Sequence, residues 1–296
     1  MPIINPHKQL VQERKKQYDQ LRAGKDSLLT ILDEVEIAES VYNSNAIENS
    51  TLTLKETEKI LLQMELSRNV NLREVYEANN LARVIEYIHS KTKHAELNEE
   101  LILFLHQLLI TTIDDSIAGR YRTFGEYVRV GTHVAPPPER VPGMMGDILV
   151  NYSSDHTTYF VEKIARFHLE FESIHPFNDG NGRIGRVLVN YQLLRLGFPM
   201  LIIRNKDKQV YYQAFHHFKD SGKSDIMEQV ILLALLESLQ KRITYLNGEE
   251  VVEVAEYAKK RDIYLPKLLN AARRQTIPAF REKGVWKIGA DFKPRV

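Results

Sequence analysis

The sequence predicts a mainly α-helical protein with one short β-hairpin and a small basic module at its C-terminal end. Three observations carry that reading. Apolar residues recur at helical spacing in successive windows from Ser27 to about residue 246. Residues 119–143, GRYRTFGEYVRVGTHVAPPPERVPG, break the pattern with glycines, prolines and the alternation Tyr127, Val128, Arg129, Val130. Asn247-Gly248 marks a boundary, and from Lys259 the composition turns basic.

The bounds agree with a soluble globular chain. Its 296 residues allow one large domain, or a main domain with small appendages. Hydrophobic residues at 43% and charged residues at 27% are ordinary globular values. A net charge of +1 creates no whole-protein field that selects nucleic acid or membrane. The absence of cysteine excludes disulfides, thiol catalysis and cysteine metal sites, and it suits a reducing cytoplasm. No apolar window is long enough to span a membrane, and MPIINPHKQL lacks the basic-then-apolar pattern of a signal peptide. The expectation is a cytoplasmic protein without a membrane partner.

The elements follow in order. From Ser27, Leu28, Ile31, Leu32, Val35, Ala38, Val41 and Tyr42 predict an amphipathic helix. Residues 52–66, 71–90 and 98–113 read the same way, the last nearly continuous in apolar residues. The glycine- and proline-rich stretch reads as a loop with a short hairpin. Helices return at 143–152 and 157–173. Ile184, Val187, Leu188, Tyr191 and Leu194 then form one stripe of a helix that Gly197 and Pro199 end. Further helices are expected at 207–220 and 225–246.

Between two of these helices lies HPFNDGNGRIGR, His175 to Arg186. A helix start leaves backbone N–H groups unpaired at the positive end of the macrodipole. Gly180-Asn181-Gly182 stands at such a start, and glycines let an anion approach the backbone closely. The arrangement reads as a phosphate cradle. Arg183 and Arg186 are three apart, so they read as sharing one helix face, and they suit phosphate oxygens. Asp179 would repel a bare phosphate, so it reads as the ligand of a magnesium ion lying between them. His175 reads as a general base for a hydroxyl nucleophile, and Phe177 as an inward anchor. The plainer alternative is a glycine-rich helix start with a solvated charged face.

These twelve residues match, position for position, the signature of the Fic family: His, any, Phe, any, Asp or Glu, Gly, Asn, Gly, Arg, two of any, Arg. The resemblance extends over roughly residues 30–245. It implies a Fic helical core with a β-hairpin flap, and transfer of AMP from ATP to a hydroxyl side chain (Ser, Thr or Tyr) of a target protein. Under it, His175 deprotonates the hydroxyl and Asp179 holds Mg2+. The nucleotide is held by Asn178, Gly180, Asn181, Gly182, Arg183, Ile184, Gly185 and Arg186. Members that use other diphosphate donors share much of the motif, so the motif identifies the reaction class more firmly than the donor.

SNAIEN, Ser44 to Asn49, fits the inhibitory pattern of the same family: Ser or Thr, three of any, Glu, then Gly or Asn. Read alone, it is also a helix end with an exposed glutamate and an Asn cap. The resemblance implies that Glu48 pairs with Arg186, withholds it from the γ-phosphate of ATP, and in some relatives supports removal of AMP. Ser44 would help orient the helix end, beside Asn49. The flap, about 128–138, would offer an edge strand to the target, with Val130 at the nucleotide; the alternative is a proline-rich surface loop. Tyr211-Tyr212 would contact the adenosine, one turned inward and one on the nucleotide. Lys219 stands where some relatives seem to carry Asn. His216-His217 reads as an exposed helix turn rather than a metal site.

From Lys259 to Val296 the tail holds 11 Lys or Arg against three acids. It resembles small helix-turn-helix modules, with a turn near Asp262, a second helix through Arg274 and a closing strand containing Trp286. Arg273 and Arg274 would then meet DNA; the alternative is a docking or dimerisation module. The expected division is an N-terminal helical region at 1–95 with an inhibitory helix at about 28–49, a Fic core at 96–246, and a winged-helix or helix-turn-helix-like domain at 250–296. The leading reading is an autoinhibited protein adenylyltransferase. The alternative is a DNA-binding transcriptional regulator with a nucleotide-sensing core. A homodimer remains open.

Overall fold

A computed structural model describes residues 6–62, 70–91, 96–131 and 133–293. The expected end of the third helix, residues 63–66, lies outside them. The described residues fall into two compact units, one within Met1–Glu36, Pro199–Ile202 and Gln229–Val296, the other within Ile37–Phe198 and Ile203–Glu228. No described helix is long and apolar enough to cross a membrane.

The chain begins with α1 (Pro6–Leu21), α2 (Asp26–Ile47), α3 (Leu54–Leu61), α4 (Leu72–Lys91) and α5 (Glu99–Ile110). A hairpin of β1 (Arg129–Val130) and β2 (His133–Val134) follows, then α6 (Val141–Ser154), α7 (Phe160–Ile174), α8 (Asn181–Arg195), α9 (Lys208–Ser221) and α10 (Asp225–Leu246). The tail forms β3 (Val251–Glu253), α11 (Val254–Lys260), α12 (Leu265–Arg273), β4 (Ala279–Glu282) and β5 (Val285–Gly289).

The sequence reading leaves α1 out. Only Val11 and Tyr18 of that helix are buried, so it carries little apolar signal. The predicted stripe of α2 is also too wide. Ile31 and Val35 are exposed, whereas Glu36 and Glu39 are buried. Burial of those two acids is offset by cations: Glu39 pairs with Arg204, and Glu36 with Lys241 and Arg242.

In the larger unit, α8 is the central helix. It packs against α7, α4 and α5, while α6 and α9 pack on α7. Its burial extends beyond the predicted stripe to Asn190 and Gln192, because neighbours cover it on several sides. Local signals set the ends of the helices around it. Thr53 and Glu56 form a capping box at α3, and Asn98 caps α5. α9 stops at Gly222, whose φ of 70° is left-handed.

In the other unit, the tail forms a three-stranded antiparallel sheet in the order β3-β5-β4. Val254, Tyr257, Ala258, Leu268, Ala272, Ala279 and Ile288 make its core. Asp262, at φ 51°, turns the chain from α11 to α12. Lys283 and Gly284, at φ 51° and 80°, close a two-residue hairpin between β4 and β5. The same unit buries a charge network. Arg242 donates to Asp33 and Glu36, and Lys241 bridges Glu36 and Glu282 at 3.0 and 3.1 Å.

Arg242 is fully buried, so its removal takes the guanidinium from Asp33 and leaves Glu36 with Lys241. Arg242→Ala is expected to destabilise this unit by about 3–5 kcal/mol. Urea unfolding followed by circular dichroism checks this, and a midpoint equal to wild type would show that water can replace the guanidinium.

Candidate active site

The site is built on the turn between α7 and α8. α7 ends at His175, which takes left-handed angles (φ 51°, ψ 64°) while its N–H still donates to Phe171 O at 2.9 Å. Such a conformation is uncommon for a residue with a Cβ. It swings the following residues out of the helix axis. Phe177 then turns inward and is fully buried, stacked on His106 of α5 at 3.7 Å between ring centroids. Asn181 locks the turn from the other side: its Oδ1 accepts from Phe177 N at 2.9 Å and its Nδ2 donates to Phe177 O at 2.8 Å. Gly180, at φ 79°, leads into α8, and a Cβ there would stand 3.0 Å from Leu109 and 3.2 Å from Ile110. The glycine is required by both conformation and space.

Two organisers of this turn carry no motif signal in the sequence. Arg122 is buried, and its guanidinium donates to His175 O, Glu126 O, Pro136 O and Ile174 O at 2.8–3.2 Å. It ties the flap base to the end of α7. His106 accepts from Gly119 N at 3.0 Å through Nδ1, so its proton sits on Nε2, which donates to Asp179 O at 3.1 Å. Burial holds His106 neutral, with its pKa pushed down to about 4. Their residue types are common, and only tertiary contacts reveal their work.

The two motif arginines face different partners, although both lie on α8. Arg186 is buried and turns to the end of α2. Its Nε donates to Ser44 Oγ at 2.9 Å, and its Nη2 meets Ser44 O at 2.8 Å and Glu48 Oε1 at 2.9 Å. Ser44 therefore touches Arg186 directly, a closer role than orienting the helix end. Glu48 is partly exposed and lies over Gly182, where a Cβ would stand 2.2 Å from its Oε1. Asn49 turns the chain away at φ 67°. Arg183 turns instead to Asp179 at 3.0 Å and to Glu77 of α4 at 3.3 Å. Arg73, also of α4, donates to the second oxygen of Asp179.

The other expected residues are placed as follows. Tyr211 is buried, and its hydroxyl meets His168 Nε2 at 2.8 Å and Arg186 Nη1 at 3.4 Å. Tyr212 is partly exposed and donates to Ile47 O at 3.0 Å. Ile184 is fully buried in the core, and its N–H is used by Gly180 O. Gly185 packs against His168 and Glu172, where a Cβ would stand 2.4 Å from Glu172 Oε1. Asn178 bonds to Glu126. The backbone of Val130 lies in β1 opposite His133, whose ring bonds to Ser173 O at 2.9 Å. His216 is exposed, and His217 pairs with Asp225. No cluster of three or more His, Asp or Glu able to hold a metal occurs among the described residues.

Electrostatics keep His175 and its neighbour Glu172 neutral. Burial pushes the His175 imidazole down to about 4, although the Glu172 carbonyl and the Glu48 carboxylate oppose the shift. Burial, reinforced by Glu48, pushes the Glu172 carboxyl up to about 8, and its Oε1 has no hydrogen-bond partner. That carboxyl stands 3.8 Å from His175 Nδ1. Burial works against the charge of Arg186, yet Tyr211 and Glu48 hold its pKa above the ordinary value, so it stays cationic.

Fold and site together define a helical scaffold that presents a glycine-lined helix start beside a neutral histidine. Residues 96–193 match the model of the Fic/DOC family. It is 34% identical over 178 residues to the protein adenylyltransferase Fic of Nematostella vectensis, covering 58% of this chain and 41% of that protein. The chain thus spans about two fifths of that curated relative. Among solved structures, a Fic-domain-containing signalling protein from Bacteroides thetaiotaomicron superposes with a TM-score of 0.72 at 29% identity, covering 81% of this chain and 97% of that one. Fic-1 (residues 134–508) of Caenorhabditis elegans gives 0.69 at 26% identity, covering 80% and 71%.

The depressed pKa of His175 has a direct consequence. The neutral ring is the form above about pH 4, and it is lost as the pH falls through that value. An NMR titration of the His175 ring is expected to show a midpoint near 4, shifted further down in Glu48→Gly because that carboxylate favours the charged ring. A midpoint near the solvated value of about 6.5 would place the ring in water.

Proposed function

We propose that this chain is a protein adenylyltransferase that transfers AMP from ATP to a Ser, Thr or Tyr hydroxyl of a target protein. The observation that carries the reading is the neutral His175 at the mouth of the glycine-lined α8 start. A neutral imidazole can accept the hydroxyl proton. The freed oxygen attacks the α-phosphorus, the bond to the bridging oxygen breaks, and pyrophosphate leaves. The first N–H groups of α8 and the Arg183 and Arg186 guanidinium groups bind the triphosphate. The partly exposed Asp179 suits an ion that takes one carboxylate and completes its shell with phosphate and water oxygens. That ion, Mg2+, would supply charge neutralisation of the phosphates.

In the resting chain Glu48 holds Arg186, so the guanidinium is withheld from the γ-phosphate. The chain is in this reading autoinhibited through Ser44, Glu48 and Asn49, and the same carboxylate could position water for removal of AMP. The hairpin of β1 and β2 presents an edge to the target backbone, with Val130 near the nucleotide and the outward Tyr212 near the adenosine. We further assign the regions 1–95, 96–246 and 250–296 to the inhibitory, catalytic and accessory roles, in a cytoplasmic protein.

Incorporation of labelled AMP from ATP tests this. Glu48→Gly is expected to raise labelling on the order of 10²-fold, the cost of a misplaced reacting group. His175→Ala in that background is expected to lower it by about 10²–10⁴ while ATP still binds. If Glu48→Gly labels no faster than wild type, SNAIEN is a helix end only.

A second reading concerns the tail. The run β3, α11, α12, β4, β5 with sheet order β3-β5-β4 has the layout of a winged helix, and Lys267, Arg273 and Arg274 are exposed on α12 and its cap. This favours a DNA-binding role beside a nucleotide-sensing core. Binding to a labelled duplex is then expected to fall steeply with salt, as lysine and arginine contacts release counterions. No binding at low salt would leave the module a docking element.

A further inference from the structure

We propose that Arg73 is a polyphosphate ligand, a cation supplied by α4 from outside the glycine-rich motif. The inference rests on the nucleotide reading of the site and extends it to a residue that the motif does not contain.

The geometry is a fork of two guanidinium groups around one carboxylate. Arg183 Nη2 meets Asp179 Oδ1 at 3.0 Å, and Arg73 Nη2 donates to Asp179 Oδ2. Both arginines share a second anion. Glu77 Oε1 stands 3.1 Å from Arg73 Nε and 3.3 Å from Arg183 Nη1. Two cations and two anions therefore close a neutral cluster at the first turn of α8. Within it, the carboxylate of Asp179 sits where a tetrahedral anion would be bound. Two guanidinium groups and a helix start converge there.

The two arginines are not alike. Arg183 is 4% exposed, and its Nε and Nη1 make no hydrogen bond, so it is a fixed wall with unspent donors. Arg73 is 52% exposed and anchored by Glu77 one helical turn along α4. Its Nε stays with Glu77 while its terminal nitrogen reaches the mouth of the site. An exposed arm exchanges partners at little cost. A polyphosphate arriving with a divalent cation gives Asp179 a better partner than arginine. The fork is then left without its internal anion, and Arg73 turns from the carboxylate to a phosphate oxygen.

Binding to the full chain tests the proposal, with ATP, tripolyphosphate and adenosine as probes in the presence of magnesium. Arg73→Ala is expected to weaken ATP and tripolyphosphate about tenfold, on the scale of one charge-assisted hydrogen bond, with adenosine unchanged. Arg73→Lys is expected to recover part of the loss, because it keeps the charge and loses the fork. Its exposure predicts unchanged thermal stability in both variants, which separates binding from folding. ATP and tripolyphosphate affinities within about twofold of wild type in Arg73→Ala would overturn the proposal and leave Arg73 a restraint on Asp179. Equal losses for adenosine would overturn it too. A wild-type chain that binds no ATP would instead overturn the nucleotide reading. Tripolyphosphate would then still decide on Arg73, for it if binding falls in Arg73→Ala and against it otherwise.

Discussion

The buried guanidinium of Arg186 is the charge around which the site is organised. A cation removed from water is costly unless anions and acceptors surround it, and breaking a buried pair is expensive. Arg186 has Ser44 on two nitrogens, Glu48 on one of them, and Tyr211 on the third. This demand dictates the end of α2. The helix must stop at Ile47 so that Glu48 can reach over Gly182, and Tyr212 fixes the stop by donating to Ile47 O. Ser50 and Thr51 are then bonded to Glu74 of α4, which holds the exit of the chain. Without Glu48, Arg186 keeps the neutral acceptors of Ser44 and the Tyr211 hydroxyl, and an anion arriving there would take the place of the carboxylate.

The two titratable groups beside it are neutral for the same reason of burial, in opposite senses. His175 loses its proton more readily than in water, and Glu172 keeps its proton more firmly. A charged Glu172 would offer Arg186 a second carboxylate from the α7 side and weaken the hold of Glu48. The neutral acid leaves Glu48 as the carboxylate that pairs with the guanidinium. Gly185 lets α8 approach the acid closely, with no room for a Cβ beside Glu172 and His168.

Local patterns made most helices legible, because their apolar spacing survives in the fold. The turn from His175 to Arg186 was legible because its residue types have few other uses together. What was not legible depends on tertiary charge pairing. Glu36 and Glu39 read as the solvent side of α2, yet both are buried against cations far away in the chain. Arg183 and Arg186 read as one face, but three residues are not quite one helical turn. The offset sends one toward α4 and the other toward α2. Arg122 and His106 were invisible because an arginine in a loop and a histidine in an apolar helix carry no spacing signal of their own. Tyr211 and Tyr212, by contrast, are expected from the sequence to part, and consecutive helical positions do separate them into a buried and an outward ring.

The offset between the arginines has a larger meaning. Each is matched by a carboxylate of the chain itself, Arg186 by Glu48 and Arg183 by Asp179. The carboxylates come from different places and differ in how they can be removed. Glu48 is carried by a helix end and leaves only if that end moves or loses its side chain. Asp179 belongs to the loop and stays beside the site, so its charge must be offset in place. The start of α8 is therefore flanked by internal anions on both sides. Under the proposed nucleotide reading, a phosphate chain would meet two separate conditions there, and relief of one would leave the other in force.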